Sequence, residues 1–238
     1  MLVEPAGPLN VGSVARLCAN FGIDQLRLVA PRCDHLGEEA RRMAVHGGGL
    51  LEQAQLFDNL AAALADCRRV VATSGRIEQE ALPLAAADQA LAWLREGSQT
   101  TDMAALVFGR EDRGLSNDEL RQAGRVVRLS TAPAYSSLNL SHAVAICLHE
   151  LQRLEEHPVA APACHQASEP SPRAALEAGL ADAEALLLEV GFLYPHTAHA
   201  RMAKLRALLQ RAQVTDDEVA LLRGMVRQLR WAAQRRTP

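Results

Sequence analysis

Aromatic residues are scarce. Phe, Tyr and Trp together make up 3% of the 238 residues, so a binding surface built from many stacked rings is not expected. Lysine is scarcer still. Lys204 stands alone, and neither G-x-x-x-x-G-K-[ST] nor a strand followed by G-x-G-x-x-G occurs, which disfavours an ATP or dinucleotide site of the familiar kind. No apolar run approaches the ~18 residues of a membrane span. The start, MLVEPAGPLN, has neither the basic head nor the apolar stretch of a signal peptide. The five cysteines are dispersed, with no C-x-x-C pair, which suits reduced thiols in a cytoplasm better than a disulfide frame. A metal site is not expected either. His142 and His149 lie seven residues apart on one helix face and lack further ligands, and Cys164-His165 has no partner at ligand spacing.

What is present is enough apolar material for a core, 49% of the chain, and an uneven charge. Residues 1–157 carry a net −5 and residues 158–238 a net +2, while from Arg201 onward the balance is +6. A basic tail on an acidic body can meet phosphates; the alternative is an ordinary solvated helix face.

Along residues 1–157 short β-type runs alternate with helical ones. Strands are expected at 2–5, 25–31, 68–75, 102–111 and 125–130, and helices at 11–22, 38–47, within 51–67, at 116–124 and at 137–157. The segment 116–124 opens with a Ser-x-x-Glu capping box. This alternation implies an α/β fold with a mostly parallel sheet covered on both faces. Residues 158–172, rich in Pro, Ala and Ser, read as a linker. Residues 173–238 read as a small helical appendage, with helices at 173–190, 200–212 and 215–234, the last opened by a Thr-x-x-Glu box.

Open α/β sheets bind ligands beyond the carboxyl ends of their strands. There the chain places GPLNVGSVAR, TSG, GREDRG and TAPAYSSLNLS, segments rich in glycine and small polar residues and suited to a nucleoside pocket.

Three of these segments carry a resemblance. N-x-G-S-x-x-R (Asn10 to Arg16), L-V-F-G-R-E-x-x-G-L (106–115) and Y-S-S-L-N-L-S-x-A-V (135–144) resemble, in order and spacing, the three motifs of SPOUT-class RNA ribose 2′-O-methyltransferases. Within that class the chain most resembles the TrmH/TrmJ family, and residues 191–212 with the last helix resemble the helical extension of its TrmJ branch. Relatives of this kind carry several more residues before LVEP, so with Met1 inside the first strand either that strand is short or the start is truncated.

The resemblance implies a parallel sheet with a C-terminal trefoil knot, which connection rules alone would make improbable. It implies S-adenosylmethionine (SAM) as cofactor, a homodimer with residues of both subunits at the transfer site, and tRNA as partner. The target it suggests is the ribose of anticodon-loop nucleotide 32, cytidine or uridine. The rivals are another tRNA position or rRNA, and, in a different class, a non-catalytic RNA-binding protein on the same scaffold. The joint presence of Asn10, Arg16, Glu111, Ser137 and Asn139 argues against the last.

The same resemblance maps catalytic roles onto those five residues. A guanidinium stays protonated near neutral pH, so Arg16 is a poor base unless perturbed. It otherwise stabilises the developing alkoxide or grips a phosphate. Asn10 orients Arg16 or the ribose, or caps a helix. Glu111 holds the motif loops by accepting backbone hydrogen bonds, or pairs with an arginine. Ser137 and Asn139 match the residues nearest the transferred methyl group. Thr73, Ser74, Gly75, Gly109, Leu129, Ser136, Ser137 and Leu138 match cofactor-binding positions, and Gly114 is a second backbone-approach glycine. One serine of 135–144 is expected to cap the helix that follows. In the appendage Arg201, Lys204, Arg206, Arg211, Arg227 and Arg230 are candidate phosphate contacts.

Overall fold

A computed structural model of the chain describes residues 1–75, 84–96, 103–132, 137–156 and 169–235. The expected Ser136 contact and most of the expected linker, residues 158–168, lie outside the described residues.

The elements run β1 (Leu2–Val3), α1 (Pro8–Asn20), β2 (Arg27–Val29), α2 (Glu38–Ala44), a 3₁₀ turn (Val45–Gly47), α3 (Gly48–Glu52), β3 (Gln55–Phe57), α4 (Leu60–Ala63) and β4 (Cys67–Thr73). They continue with β5 (Leu84–Ala85), α5 (Ala87–Glu96), β6 (Met103–Val107), α6 (Asn117–Leu120), β7 (Arg125–Val127) and α7 (Leu140–Glu156). Three helices close the chain: α8 (Arg173–Glu189), α9 (Pro195–Ala212) and α10 (Asp216–Gln234).

Among the described residues the named strands pair in parallel, in the orders β1-β2-β3 and β5-β7-β4-β6. The two groups join where the Val3 N–H donates to the Phe108 carbonyl at 2.9 Å and the Phe108 N–H to the Met1 carbonyl at 3.0 Å. The result is one sheet in the order β5-β7-β4-β6-β1-β2-β3. Helices cover both faces, and strand residues alternate between them. Leu2 and Val71 pack with α1, α5 and α7, whereas Val3, Val70 and Ala72 pack with α4 and α6. Central strands buried on both faces read as near-continuous apolar runs, which is why RRVVAT was recognisable as a strand.

Helix α1 starts with Pro8 at its first turn, where the missing N–H costs nothing. Its buried stripe of Val11, Val14, Ala15 and Cys18 holds it on the sheet. Gly12 lets α2 approach closely, since a Cβ there would lie 2.1 Å from the Ala40 carbonyl oxygen. Both expected capping boxes are formed, at Ser116 and Thr215. Two differences stand out. Helix α5 is absent from the sequence reading, although Ala90, Leu91 and Leu94 supply its buried face. Helix α9 begins five residues earlier than expected, at Pro195, because Ala198 extends the apolar stripe of Met202 through polar HTAH.

Helices α8–α10 share a separate apolar cluster centred on Leu176, Leu180, Met202 and Val219. They dock on the amino-terminal end of β4. Arg68 bonds the Pro170 carbonyl (2.8 Å) and pairs with Asp216 (3.1 Å), and Arg69 forks onto Glu169 (3.0 Å for both bonds). No described helix is long and apolar enough to cross a membrane.

Candidate active site

The carboxyl ends of three neighbouring strands, β7, β4 and β6, open onto one pocket of about 440 Å³. That volume falls in the range of small-molecule and cofactor sites. Strand β4 delivers Thr73, Ser74 and Gly75, β6 leads into Phe108–Leu115, β7 leads to Leu129, and the start of α7 adds Ser137, Leu138, Leu140 and Ala143. Of the expected cofactor residues, Thr73, Ser74, Gly75, Gly109, Leu129, Ser137 and Leu138 all line this pocket. The strand ends are locked to each other: the Thr73 hydroxyl donates to the Val107 carbonyl (3.2 Å) and the Ser74 N–H to the Val127 carbonyl (2.9 Å).

The loop after β6 folds back on itself. A Cβ at Gly109 would lie 2.3 Å from the Gly114 carbonyl carbon and the Leu115 nitrogen, so only glycine allows this closure. Gly114 completes it with φ +67°. Arg110, which also lines the pocket, clamps the loop. Its guanidinium forks onto Glu119 (2.9 Å for both bonds), donates to the Gly114 carbonyl (3.2 Å) and bonds Glu4 at the end of β1. Glu4 also pairs with Arg32. The Arg110 hydrogen bond pulls the Glu4 carboxyl down to about 2, against the opposing effect of burial. Burial would raise Glu119, but Arg110 and Ser116 outweigh it and hold it below the usual carboxylate range. The sequence reading missed this clamp. Arg110 sits in the second motif between two residues singled out there, and Glu119 was seen only as a capping-box residue.

A second network joins all three motifs. Glu111 accepts hydrogen bonds from the Ala6 N–H (3.1 Å), the Gly7 N–H (3.0 Å) and Asn10 Nδ2 (3.2 Å). Asn10 Oδ1 in turn accepts from Asn139 Nδ2 at 3.0 Å. Asn139 Oδ1 then takes the Ser141 N–H (2.9 Å), the Ser141 hydroxyl (2.7 Å) and the His142 N–H (3.4 Å). The polarity of this chain is dictated at one end. An ionised carboxylate only accepts, so Asn10 must turn its NH₂ toward Glu111 and its oxygen toward Asn139. Asn139 must then turn its oxygen to the helix. Burial alone would raise the Glu111 carboxyl, but the Ala6, Gly7 and Asn10 donors outweigh it and lower it.

Two expectations change here. The cap of α7 is Asn139, not a serine, because Asn139 directly precedes Leu140 and its short side chain reaches the first free N–H groups. Asn10 does not cap α1. It sits in the first turn, and Glu111 from the far motif meets the N–H groups ahead of the helix. Arg16 does not line the pocket; it is exposed on α1, two turns beyond Asn10.

The appendage arginines divide. Arg206 forks onto Glu177 (2.8–3.1 Å) and Arg230 pairs with Glu189 (3.5 Å), so neither is free for phosphate. Arg201 folds over Phe192 and donates to its carbonyl at 3.1 Å. Lys204, Arg211 and Arg227 are exposed, without hydrogen-bond or ion-pair partners among the described residues. Among the described residues no group of three or more His, Cys, Asp or Glu is arranged to hold a metal ion.

Known proteins share this arrangement. Residues 1–149 match the model of the SpoU rRNA Methylase family, and residues 175–238 match the C-terminal domain of the tRNA methyltransferase TrmJ. The chain belongs to the SpoU methylase family. Within it the chain is similar to TrmJ proteins. The chain is 36% identical to the tRNA (cytidine/uridine-2′-O-)-methyltransferase TrmJ of Cronobacter sakazakii, over 95% of this chain and 93% of the relative. It is 31% identical to the tRNA (cytidine/uridine/adenosine-2′-O-)-methyltransferase TrmJ of Pseudomonas aeruginosa, over 95% and 91%. The crystal structure of TrmJ from Z. mobilis superposes with a TM-score of 0.82 at 30% identity, covering 96% of both chains. As a SpoU methylase of the TrmJ branch, the chain is an RNA methyltransferase with a parallel α/β fold.

Proposed function

We propose that this protein is a SAM-dependent tRNA ribose 2′-O-methyltransferase acting on anticodon-loop nucleotide 32, at cytidine or uridine, and working as a cytoplasmic homodimer. The observation that carries the reading is that the second and third motif segments line one pocket, to which the first is tied through the Glu111–Asn10–Asn139 chain. The TrmJ-type appendage favours tRNA over rRNA. The family model's own description, which names rRNA, is what favours the rival.

The pocket fits the cofactor. It offers apolar walls at Leu129, Leu138, Leu140 and Ala143 for an adenine ring, and glycine-opened backbone at Gly75, Gly109 and Gly114. When bound, SAM supplies a methyl group on a sulfonium. The chain's residues hold the acceptor and manage its proton. Ser137 faces the pocket beside Asn139, whose orientation Glu111 sets through Asn10. Arg16 is brought to the site of the partner subunit, where its positive charge stabilises the forming 2′-alkoxide or holds the adjoining phosphate. That assignment explains why Arg16 stands apart from the pocket of its own chain. Lys204, Arg211 and Arg227 contact tRNA phosphates. The pocket and the appendage lie at opposite ends of β4, about 20 Å apart by strand rise, a distance a tRNA easily spans. The reading includes the trefoil knot and the division into residues 1–157, 158–172 and 173–238.

Incubation with methyl-labelled SAM and total tRNA tests the reaction type. A 2′-O-methyl group blocks alkaline cleavage of the following phosphodiester, so label is expected in alkali-resistant dinucleotides. Label released as mononucleotides would mark base methylation and defeat the proposal.

A further inference from the structure

Where the appendage meets the sheet, two buried polar side chains lack partners. Arg173, the first residue of α8, is 8% exposed, and Gln210 of α9 is 3% exposed. Arg173 Nε and both amide atoms of Gln210 are buried without a hydrogen bond among the described residues. Such orphans are uncommon in folded proteins and call for an explanation.

The charges around them are already spoken for. Arg69 is forked onto Glu169 and donates to the Trp93 carbonyl at 2.6 Å. Arg68 pairs with Asp216. Arg69 and Arg125 stack on Trp93, at 5.3 and 4.8 Å from the ring centroid. Glu177, one helical turn beyond Arg173, is held by Arg206. Among the described residues no carboxylate comes within ion-pair distance of Arg173. Burial lowers Arg173 only to about 10, so the guanidinium is charged at neutral pH. The junction therefore holds a surplus positive charge, and a buried ion without a counter-charge is strongly disfavoured.

Arg173 and Gln210 line the same small cavity, about 20 Å³ open to the centre of a water-sized sphere, together with Arg68, Trp93, Ser171 and Gln213. The cavity has room for water or for a small anion. A guanidinium only donates hydrogen bonds. A water would satisfy one N–H but leave the charge; a small anion answers both.

We propose that this cavity binds a single small anion such as chloride, held by the Arg173 guanidinium and the Nε2 group of Gln210. The anion sits between Arg68 and Trp93 of the catalytic part, Ser171 at the end of the linker, and Arg173 and Gln210 of the appendage, so it stiffens the joint through which the appendage is held on the sheet. Chloride then acts twice on this protein: it competes at exposed phosphate contacts and it completes the joint.

Crystals of the full chain grown in bromide test the site directly. An anomalous peak in the cavity is expected; ordinary water density without one overturns the proposal. In solution, melting is compared in chloride and in gluconate at one ionic strength. Taking chloride from well below to about tenfold above its dissociation constant should raise the midpoint on the order of 2–5 °C, with no rise in gluconate. Arg173→Gln should abolish the chloride-specific rise, and Gln210→Leu serves the same comparison if that variant does not fold. Equal midpoints in both salts overturn the proposal, and a bromide peak without a solution effect means an adventitious ion only.

Discussion

Replacing Glu111 with glutamine tests how the three motifs are held together. The side chain keeps its size, but one of two acceptor oxygens becomes an NH₂ group. Glu111 Oε1 serves Gly7 and Asn10 while Oε2 serves Ala6, so either amide orientation sets an NH₂ against at least one backbone N–H. A hydrogen bond to a charged group contributes about 1.5–3 kcal/mol, and a negative charge at a helix N-terminus adds about 0.3–1 kcal/mol. Losing one such bond and the charge should therefore cost about 2–3 kcal/mol, which for a chain of this size lowers the melting midpoint by about 5–10 °C. The effect has a pH signature. The folded state holds the Glu111 carboxyl below its ordinary value, so its contribution is fully present above the unfolded value, about 4.3. It fades as pH falls through the lowered folded value. Calorimetry from pH 7 downward should show a wide gap between wild type and variant at neutral pH that closes below about pH 4. Methyl transfer should fall with the gap. A variant that melts within about 1 °C of wild type at pH 7, or a gap unchanged in acid, would refute the reasoning.

Arg16→Ala should abolish methyl transfer while SAM affinity by calorimetric titration stays near wild type, because Arg16 does not line the pocket; an equal loss of SAM binding would place it in the cofactor site. Gly109→Ala should abolish SAM binding while the fold by circular dichroism is retained, since the added carbon meets backbone at 2.3 Å; near-normal affinity would contradict that closure. Replacing Lys204, Arg211 and Arg227 together with glutamine should flatten the salt dependence of tRNA binding by about 2–3 in slope. Arg206→Gln should leave the slope unchanged, because Glu177 already holds that side chain. Equal effects of the two changes would show that the ion pairs do not decide which arginines meet RNA.

Much of the fold was readable because its strands are apolar runs ending in proline or glycine, as in QLRLVAP and ALVFG. Helices with a capping box, at Ser116 and Thr215, were readable at their starts. Helix α5 was not singled out, because its alanine-rich sequence contrasts weakly with its surroundings. Seven of the eight cofactor positions that the motif resemblance implies fall on one pocket. What the motifs did not carry is who bonds whom. The Arg110 clamp depends on Glu4 and Glu119 being neighbours in space, although Glu4 lies 106 residues away. The capping role of Asn139 follows from where α7 begins, a boundary that a run of small polar residues blurs. The division of appendage arginines into paired and free depends on Glu177 and Glu189 facing them across helices, which a count of charges does not record.

The central claim is a methyl group placed on one ribose of the anticodon loop. Transfer from labelled SAM to two synthetic tRNAs tests it most directly, one with 2′-deoxyribose at nucleotide 32 and the other with 2′-deoxyribose at nucleotide 34. The account predicts that label is lost with the first and retained with the second. Full labelling of the tRNA that lacks the hydroxyl at nucleotide 32 would contradict it.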